Sequence, residues 1–237
     1  MTSWKRVGRL VGVLLLLHLA LGLTVPFIML HPLISPPGFL ASAAGVANQT
    51  RTAVLIFFVG SALAITIASA AWRVFREYSS AMTLWLFALA VASFVLQSVD
   101  NAHILSMLSL SQAYAEAGPA KADVFQALAL VVGAARKWSH YSFLFVVGCW
   151  IFLLFSLLYR FRLVPRVLAA LGMIGAVLQI AGVSLRGLMG YPPETRLAMP
   201  LAPAYVLLAL WLMVKGFDER QRPLSADADG ASPGPTQ

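Results

Sequence analysis

The sequence predicts an all-α, polytopic membrane protein: a bundle of six transmembrane helices with both termini on the cytoplasmic side. Of the 237 residues, 60% are hydrophobic and 11% are charged, whereas a soluble domain has roughly 25% charged and 45–50% apolar residues. The mean hydropathy is +0.83. A chain of this size cannot bury that much apolar surface inside itself, so it needs lipid as a solvent. Helices then satisfy the backbone across its long apolar runs.

Six apolar segments are long enough to cross a bilayer, which takes roughly 20 residues of helix. They lie at about 7–30, 53–72, 82–105, 139–160, 165–188 and 198–216. The first segment has the basic start of a signal peptide, but its apolar run of about 20 residues exceeds the roughly 7–15 of a signal sequence, so we expect a retained helix. Residues 1–217 are predicted to form one transmembrane domain. The Pro-, Ser- and Asp-rich residues 218–237 are predicted to form a disordered cytoplasmic tail.

Segment 122–137 lies between the third and fourth spans and is apolar for much of its length. It ends in Arg136 and Lys137. Two interpretations remain open. The segment is either an interfacial helix on the outer face or the first turns of a tilted fourth span.

The distribution of Lys and Arg predicts the orientation, because these residues concentrate in cytoplasmic loops. With the N-terminus inside, eleven basic residues fall at inner ends of the spans and six at outer ends. The inner set is Lys5, Arg6, Arg9, Arg73, Arg76, Arg160, Arg162, Arg166, Lys215, Arg220 and Arg222; the outer set is Arg51, Lys121, Arg136, Lys137, Arg186 and Arg196. The net charge of +8 is scattered, with no basic face interleaved with aromatic residues. It predicts contact with anionic lipid headgroups and no nucleic-acid partner.

The third span contains the stretch VLQSVDNAHIL at 95–105, in which Gln97, Asp100, Asn101 and His103 interrupt an apolar run. At 3.6 residues per turn these four side chains fall within roughly half the circumference of a helix. Asp100 is the only acidic residue in any predicted span. It lies about 18 residues, or ~27 Å, above the start of the span, near the outer edge of a roughly 30 Å hydrocarbon core. A charge there costs less than at the midplane.

Two interpretations of this polar stripe remain open: interhelical hydrogen bonds or an outer-interface cap, or a site for a ligand or ion. In either case we expect Asp100 to have a basic partner on the fourth or fifth span, because a carboxylate in a medium of low dielectric is otherwise protonated. The candidate ligand-binding residues form an outer-leaflet pocket. They are Gln97, Asp100, Asn101, His103, His140 and Arg186.

The preferred function is non-enzymatic: binding of a lipid, a small hydrophobic or amphipathic ligand, or a membrane partner. We expect no cofactor, and a homo-oligomer is left open. The first alternative is a small proton-coupled transporter, in which Asp100 titrates and His18 or Gln179 lines a continuous polar route. The second is an intramembrane metal-dependent enzyme or a haem protein, which requires His103 and His140 to converge.

Common catalytic motifs give the enzyme alternative no support. A single cysteine, Cys149, excludes an internal disulfide and a cysteine-based metal motif. The sequence has no HExxH, no GxSxG and no phosphate-binding glycine loop.

The last third of the chain carries the most specific motifs. The run LLYRFRLVPRVLAALGMIGAVL at 157–178 has an aromatic-Arg pair, then Leu-x-Pro-Arg, then a glycine-dotted helix; LALWLMVKGF at 208–217 closes with a Leu/Trp-rich helix. The residues that carry the pattern are Tyr159, Arg160, Pro165, Arg166, Gly172, Gly175, Trp211, Lys215 and Gly216. The pattern resembles a bacterial family of six-helix membrane proteins, domain of unknown function 4386. The resemblance implies a multi-pass protein of the bacterial cytoplasmic (inner) membrane and supplies no activity or catalytic residues.

Overall fold

The computed structural model describes residues 4–117, 121–190, 197 and 199–218, and within them the chain is helical, without a strand. Apart from Asp218, the predicted tail lies outside the described residues. The six main helices are α1 (Trp4–Thr24), α2 (Ala47–Arg76), α3 (Ser80–Ala117), α4 (Ala122–Arg160), α5 (Arg166–Met189) and α6 (Leu201–Lys215). Between α1 and α2 the chain forms a π-helical turn, two short helices and a 3-10 turn, at Val25–Met29, His31–Ile34, Phe39–Ser42 and Ala44–Val46.

Five helical stretches of the described chain are long and apolar enough to cross a membrane. They are Trp4–Met29, Ala44–Arg76, Ser80–Ala117, Ala122–Arg160 and Arg166–Gly187. The chain is therefore an all-helical, multi-pass membrane protein, as predicted. Helix α6 is also apolar, but its 15 residues extend only about 22 Å, less than the roughly 30 Å hydrocarbon core. The sixth span and the orientation stay predictions.

Segment 122–137 is the N-terminal part of α4 and continuous with the predicted fourth span. The interpretation as first turns of that span is the one that the structure favours. The segment contains no proline and only one glycine, Gly133, and a single glycine lowers helix stability by only about 1 kcal/mol. Helix α4 therefore runs unbroken for 39 residues, about 58 Å.

The six helices form a closed ring. Each helix packs against its neighbours in sequence, and α6 returns to pack on α1. One end of the ring holds the start of α1, the connections 77–79 and 161–165, and the end of α6. We call it the basic end, and we call the other the opposite end. The described basic residues of the basic end are Lys5, Arg6, Arg9, Arg73, Arg76, Arg160, Arg162, Arg166 and Lys215; those of the opposite end are Arg51, Lys121, Arg136, Lys137 and Arg186.

Glycines allow α1 and α6 to close the ring at the basic end. A Cβ atom on Gly12 would lie 2.7 Å from the backbone oxygen of Ala209 and 2.8 Å from the backbone nitrogen of Met213. A Cβ atom on Gly8 would overlap the backbone that follows α6. The two backbones therefore approach as closely as small residues permit in membrane helices.

The basic half of the ring is filled with large apolar side chains. Trp150, Phe155, Leu86 and Phe75 are completely buried there. Of the buried polar side chains in the described ranges, only Thr83 lies in this half, and its hydroxyl donates to the backbone oxygen of Ser79 at 2.7 Å. The basic half is therefore a packed apolar core.

Tyr78 joins the two short connections at the basic end. Its ring stacks on Phe161, with centroids 4.8 Å apart. Burial, together with the carboxylates of Glu77 and Asp218, raises the pKa of Tyr78 to about 12. The phenol is therefore neutral at physiological pH and contributes as an aromatic packing group.

We expect Gly12→Ala to lower thermal stability, because the added methyl group meets the α6 backbone and the two helices must separate. Overpacking of this kind typically costs about 1–3 kcal/mol. The measurement is the melting temperature of the purified protein in a mild detergent. The control is Gly22→Ala in the same helix, where an added Cβ meets nothing within 4 Å. Equal melting temperatures for the two variants would contradict the close contact.

Candidate functional site

Asp100 on α3 is the centre of a polar cluster and is completely buried. Three side chains of α4 reach its carboxylate: Arg136 Nε lies 3.6 Å from Oδ1, Ser139 Oγ lies 3.0 Å from Oδ1, and His140 Nδ1 lies 3.2 Å from Oδ2. Positions three and four apart share one face of a helix, so α4 presents all three to α3 together. The predicted basic partner of Asp100 on the fourth or fifth span is confirmed, and it is Arg136.

The hydrogen bond to Asp100 determines which ring nitrogen of neutral His140 carries the proton. A carboxylate accepts hydrogen bonds only, so the proton of neutral His140 sits on Nδ1 and is donated to Asp100. Nε2 is then the ring nitrogen with a free lone pair.

A second set of polar contacts continues the stripe toward α2. Gln97 Nε2 donates to Asn101 Oδ1 at 3.0 Å, and Asn101 Nδ2 donates to the backbone oxygen of Val54 at 3.5 Å. Both amides are almost completely buried. The stripe predicted on the third span thus faces α2 and α4 and connects the three helices.

Beside the cluster lies a central cavity of about 540 Å³, to which all six helices contribute lining residues. Its size falls within the roughly 300–1,000 Å³ of ligand pockets. The lining is mostly apolar. The polar side chains on it are His18, Ser61, Ser93, Gln97, His140, Gln179 and Tyr205.

The floor of the cavity faces the basic end and is closed by three aromatic side chains. His18 Nδ1 lies 3.1 Å from the hydroxyl oxygen of Tyr205, and the His18 ring meets Trp150 edge-on at 5.6 Å. Below them lies the apolar core of the basic half. In the described residues no buried polar path continues below the floor, and this counts against the transporter alternative.

The mouth of the cavity lies between the end of α1 and the start of α6. Leu23, Phe27 and Met199 line the cavity and are also exposed at the surface, by 45%, 69% and 68%. Phe27 belongs to the π-helical turn Val25–Met29. Pro26 within that turn has no N–H to donate to the preceding turn, and π-helical turns occur frequently at functional sites.

Of the six residues proposed for the pocket, two line the cavity, two lie behind the lining and two lie away from it. Gln97 and His140 line the cavity. Asp100 and Asn101 lie behind them, hydrogen-bonded to His140 and Gln97. His103 is half-buried and absent from the lining. Arg186 is exposed, with its guanidinium carbon 5.8 Å from the centre of the Tyr141 ring.

The cavity also includes side chains that the sequence had not assigned to the pocket. His18 and Gln179, singled out for a transport route, line it, and so does Tyr205. The amide of Gln179 donates to the backbone oxygen of Leu144 at 3.4 Å. Tyr205 carried no signal, because an aromatic residue in an apolar span is typical of packing. Within the described ranges no group of three or more His, Cys, Asp and Glu residues is arranged to hold a metal ion.

Comparison with known proteins gives one match. A family model described as Domain of unknown function (DUF4386) covers residues 10–216. No curated protein and no solved structure matches the chain.

We expect Asp100→Asn to destabilise the protein, because Arg136 then lacks its counter-charge and the hydrogen bonds lose their charged acceptor. Hydrogen bonds to charged groups contribute roughly 1.5–3 kcal/mol. The measurement is the melting temperature in detergent. The matched control is Asp123→Asn, at an exposed position in the first turn of α4.

Adding Arg136→Gln to Asp100→Asn should cost less than the sum of the two single changes, because the residues share one interaction. Unchanged stability of Asp100→Asn, or full additivity, would contradict the ion pair.

Proposed function

We propose that this chain, which belongs to the family described as Domain of unknown function (DUF4386) and is an integral multi-pass membrane protein, binds a small hydrophobic or amphipathic ligand. The observation that carries the proposal is the central cavity of about 540 Å³. An apolar cavity with a few convergent polar groups is typical of a small-molecule site. Here Gln97, His140 and Gln179 are such groups, from α3, α4 and α5.

The position of the mouth supports a ligand that comes from the bilayer. The α1–α6 contact at Gly8 and Gly12 closes the ring at the basic end. The cavity is reached between Phe27 and Met199 at the other end of these helices. Because both side chains are apolar and exposed on the outer surface of the ring, the mouth opens toward lipid tails.

Aromatic residues of α4 and the basic residues beside them support a membrane position that encloses most of the cavity. The Lys137 amine lies 5.6 Å from the Trp138 ring, and the Arg166 guanidinium lies 5.5 Å from the Tyr159 ring. Such residues are enriched at membrane interfaces. Tyr141 and Tyr159 are about 18 residues apart, or ~27 Å, close to the hydrocarbon thickness. The lining residues of α4 from Phe143 to Ile151 lie between these two levels, and the lining residue His140 directly precedes Tyr141.

We further propose six spans, both termini inside, in the bacterial cytoplasmic membrane. The excess of basic residues at the basic end supports that orientation. The transporter alternative has weaker support, because the cavity ends at His18, Tyr205 and Trp150 above an apolar core. The metal-enzyme and haem alternative has weaker support, because it requires His103 beside His140, and His103 is absent from the lining.

We expect native mass spectrometry of the protein in a mild detergent to find a retained lipid or small-molecule adduct. Val183→Trp should remove it, because Val183 lines the cavity and the larger side chain fills it. Val177→Trp is the control, at a position of α5 that is 50% exposed on the outer surface. A bare wild-type chain, or an adduct that both variants retain, would contradict the proposal. A haem or metal mass would favour the cofactor alternative.

Cysteine labelling tests the orientation. In a Cys149→Ser background, Lys121→Cys at the opposite end and Arg76→Cys at the basic end are both at exposed positions. We expect a membrane-impermeant maleimide to label Lys121→Cys in intact bacterial cells and Arg76→Cys only after the membrane is opened. The reverse pattern would contradict the proposed orientation.

A further inference from the structure

The wall of the cavity formed by α3, α4 and α5 offers hydrogen-bond acceptors. With its proton on Nδ1 and donated to Asp100, His140 has an unshared electron pair on Nε2. Gln97 uses its amide nitrogen on Asn101, which leaves the carbonyl oxygen of Gln97 as an acceptor. Gln179 likewise donates to the backbone of Leu144 and keeps its carbonyl oxygen. Three helices thus contribute acceptors to one wall.

The cavity has no charged lining. Among the described residues that line it there is no Asp, Glu, Lys or Arg. Asp100 and Arg136 lie behind the wall and balance each other. A charged ligand group would therefore lose its water without gaining a counter-charge, which is strongly unfavourable. This excludes a carboxylate or an alkyl ammonium as the polar group of the ligand.

Acceptors on the wall of an apolar cavity are matched by a ligand that supplies a donor. Amines are charged at neutral pH and carboxylic acids lose their proton, and an amide N–H brings a carbonyl that needs a donor of its own. A hydroxyl group is neutral and donates without this requirement. We propose that the ligand is an uncharged amphipath whose hydroxyl group donates a hydrogen bond to Nε2 of His140. This inference rests on the proposed function and specifies the chemical class of its ligand.

The experiment compares two isomers of the same formula, dodecan-1-ol and 1-methoxyundecane, of which only the alcohol has an O–H donor. The full chain is reconstituted in lipid nanodiscs. The amount of each probe bound in excess over protein-free nanodiscs is measured by mass spectrometry. We expect about three- to ten-fold tighter binding of the alcohol, since one hydrogen bond contributes about that factor.

Two variants locate the acceptor. His140→Phe should reduce the ratio of alcohol to ether binding to about one. His140→Gln should retain a preference, because its amide can donate to Asp100 and still present an oxygen. His103→Phe is the matched control on α3, away from the lining, and should behave as the wild type. A preference that persists in His140→Phe would overturn the assignment to His140.

The wild-type comparison needs no variant, so it stands even where His140→Phe fails to fold. Equal binding of the two isomers overturns the hydroxyl inference and leaves the proposed function intact. Absence of excess binding for both isomers overturns the inference and also counts against the proposed function.

Discussion

The contact between α1 and α6 determines the architecture, because it converts six sequential helices into a ring. Gly8 and Gly12 remove the side chains that would hold α6 away. Helix α6 has only 15 residues and packs mainly on α1 and α5. The contact of the two helices extends to the hydrogen bond between His18 and Tyr205, and beyond it their opposite ends line the mouth of the cavity. The packed core and the cavity are consequences of the same contact.

The buried carboxylate of Asp100 is the second constraint, and it links stability to the proposed site. A charge without a partner at this depth would be strongly unfavourable, so α4 must present Arg136, Ser139 and His140 to α3. This arrangement fixes the His140 ring and its proton. A residue that serves the packing of two helices therefore also sets the hydrogen-bonding character of the cavity wall. The interhelical hydrogen bonds predicted for the polar stripe are present, and a ligand site there stays a prediction.

The sequence predicts the local features of this molecule better than the cavity. Hydropathy and length predict the all-helical membrane class, and burial energetics predict a basic partner for Asp100. Each of these two predictions depends on the properties of a single helix and of the medium around it. The cavity depends on distant pairs: His18 and Tyr205 are 187 positions apart, and no spacing rule brings them together. The prediction placed Arg186 in the pocket because of its depth in the membrane. In the structure, its side chain lies on the side of α5 that faces Tyr141 and the surface.

The wall and the floor of the cavity differ in their polar groups. The wall formed by α3, α4 and α5 offers acceptors, through His140 and the glutamine carbonyls. At the floor, His18 Nδ1 and the Tyr205 hydroxyl share a hydrogen bond of 3.1 Å. The indole N–H of Trp150 has no acceptor among the described residues. Passage to the basic end would require these aromatic side chains to separate over an apolar core. Under the proposed function, the ligand therefore enters and leaves by the mouth.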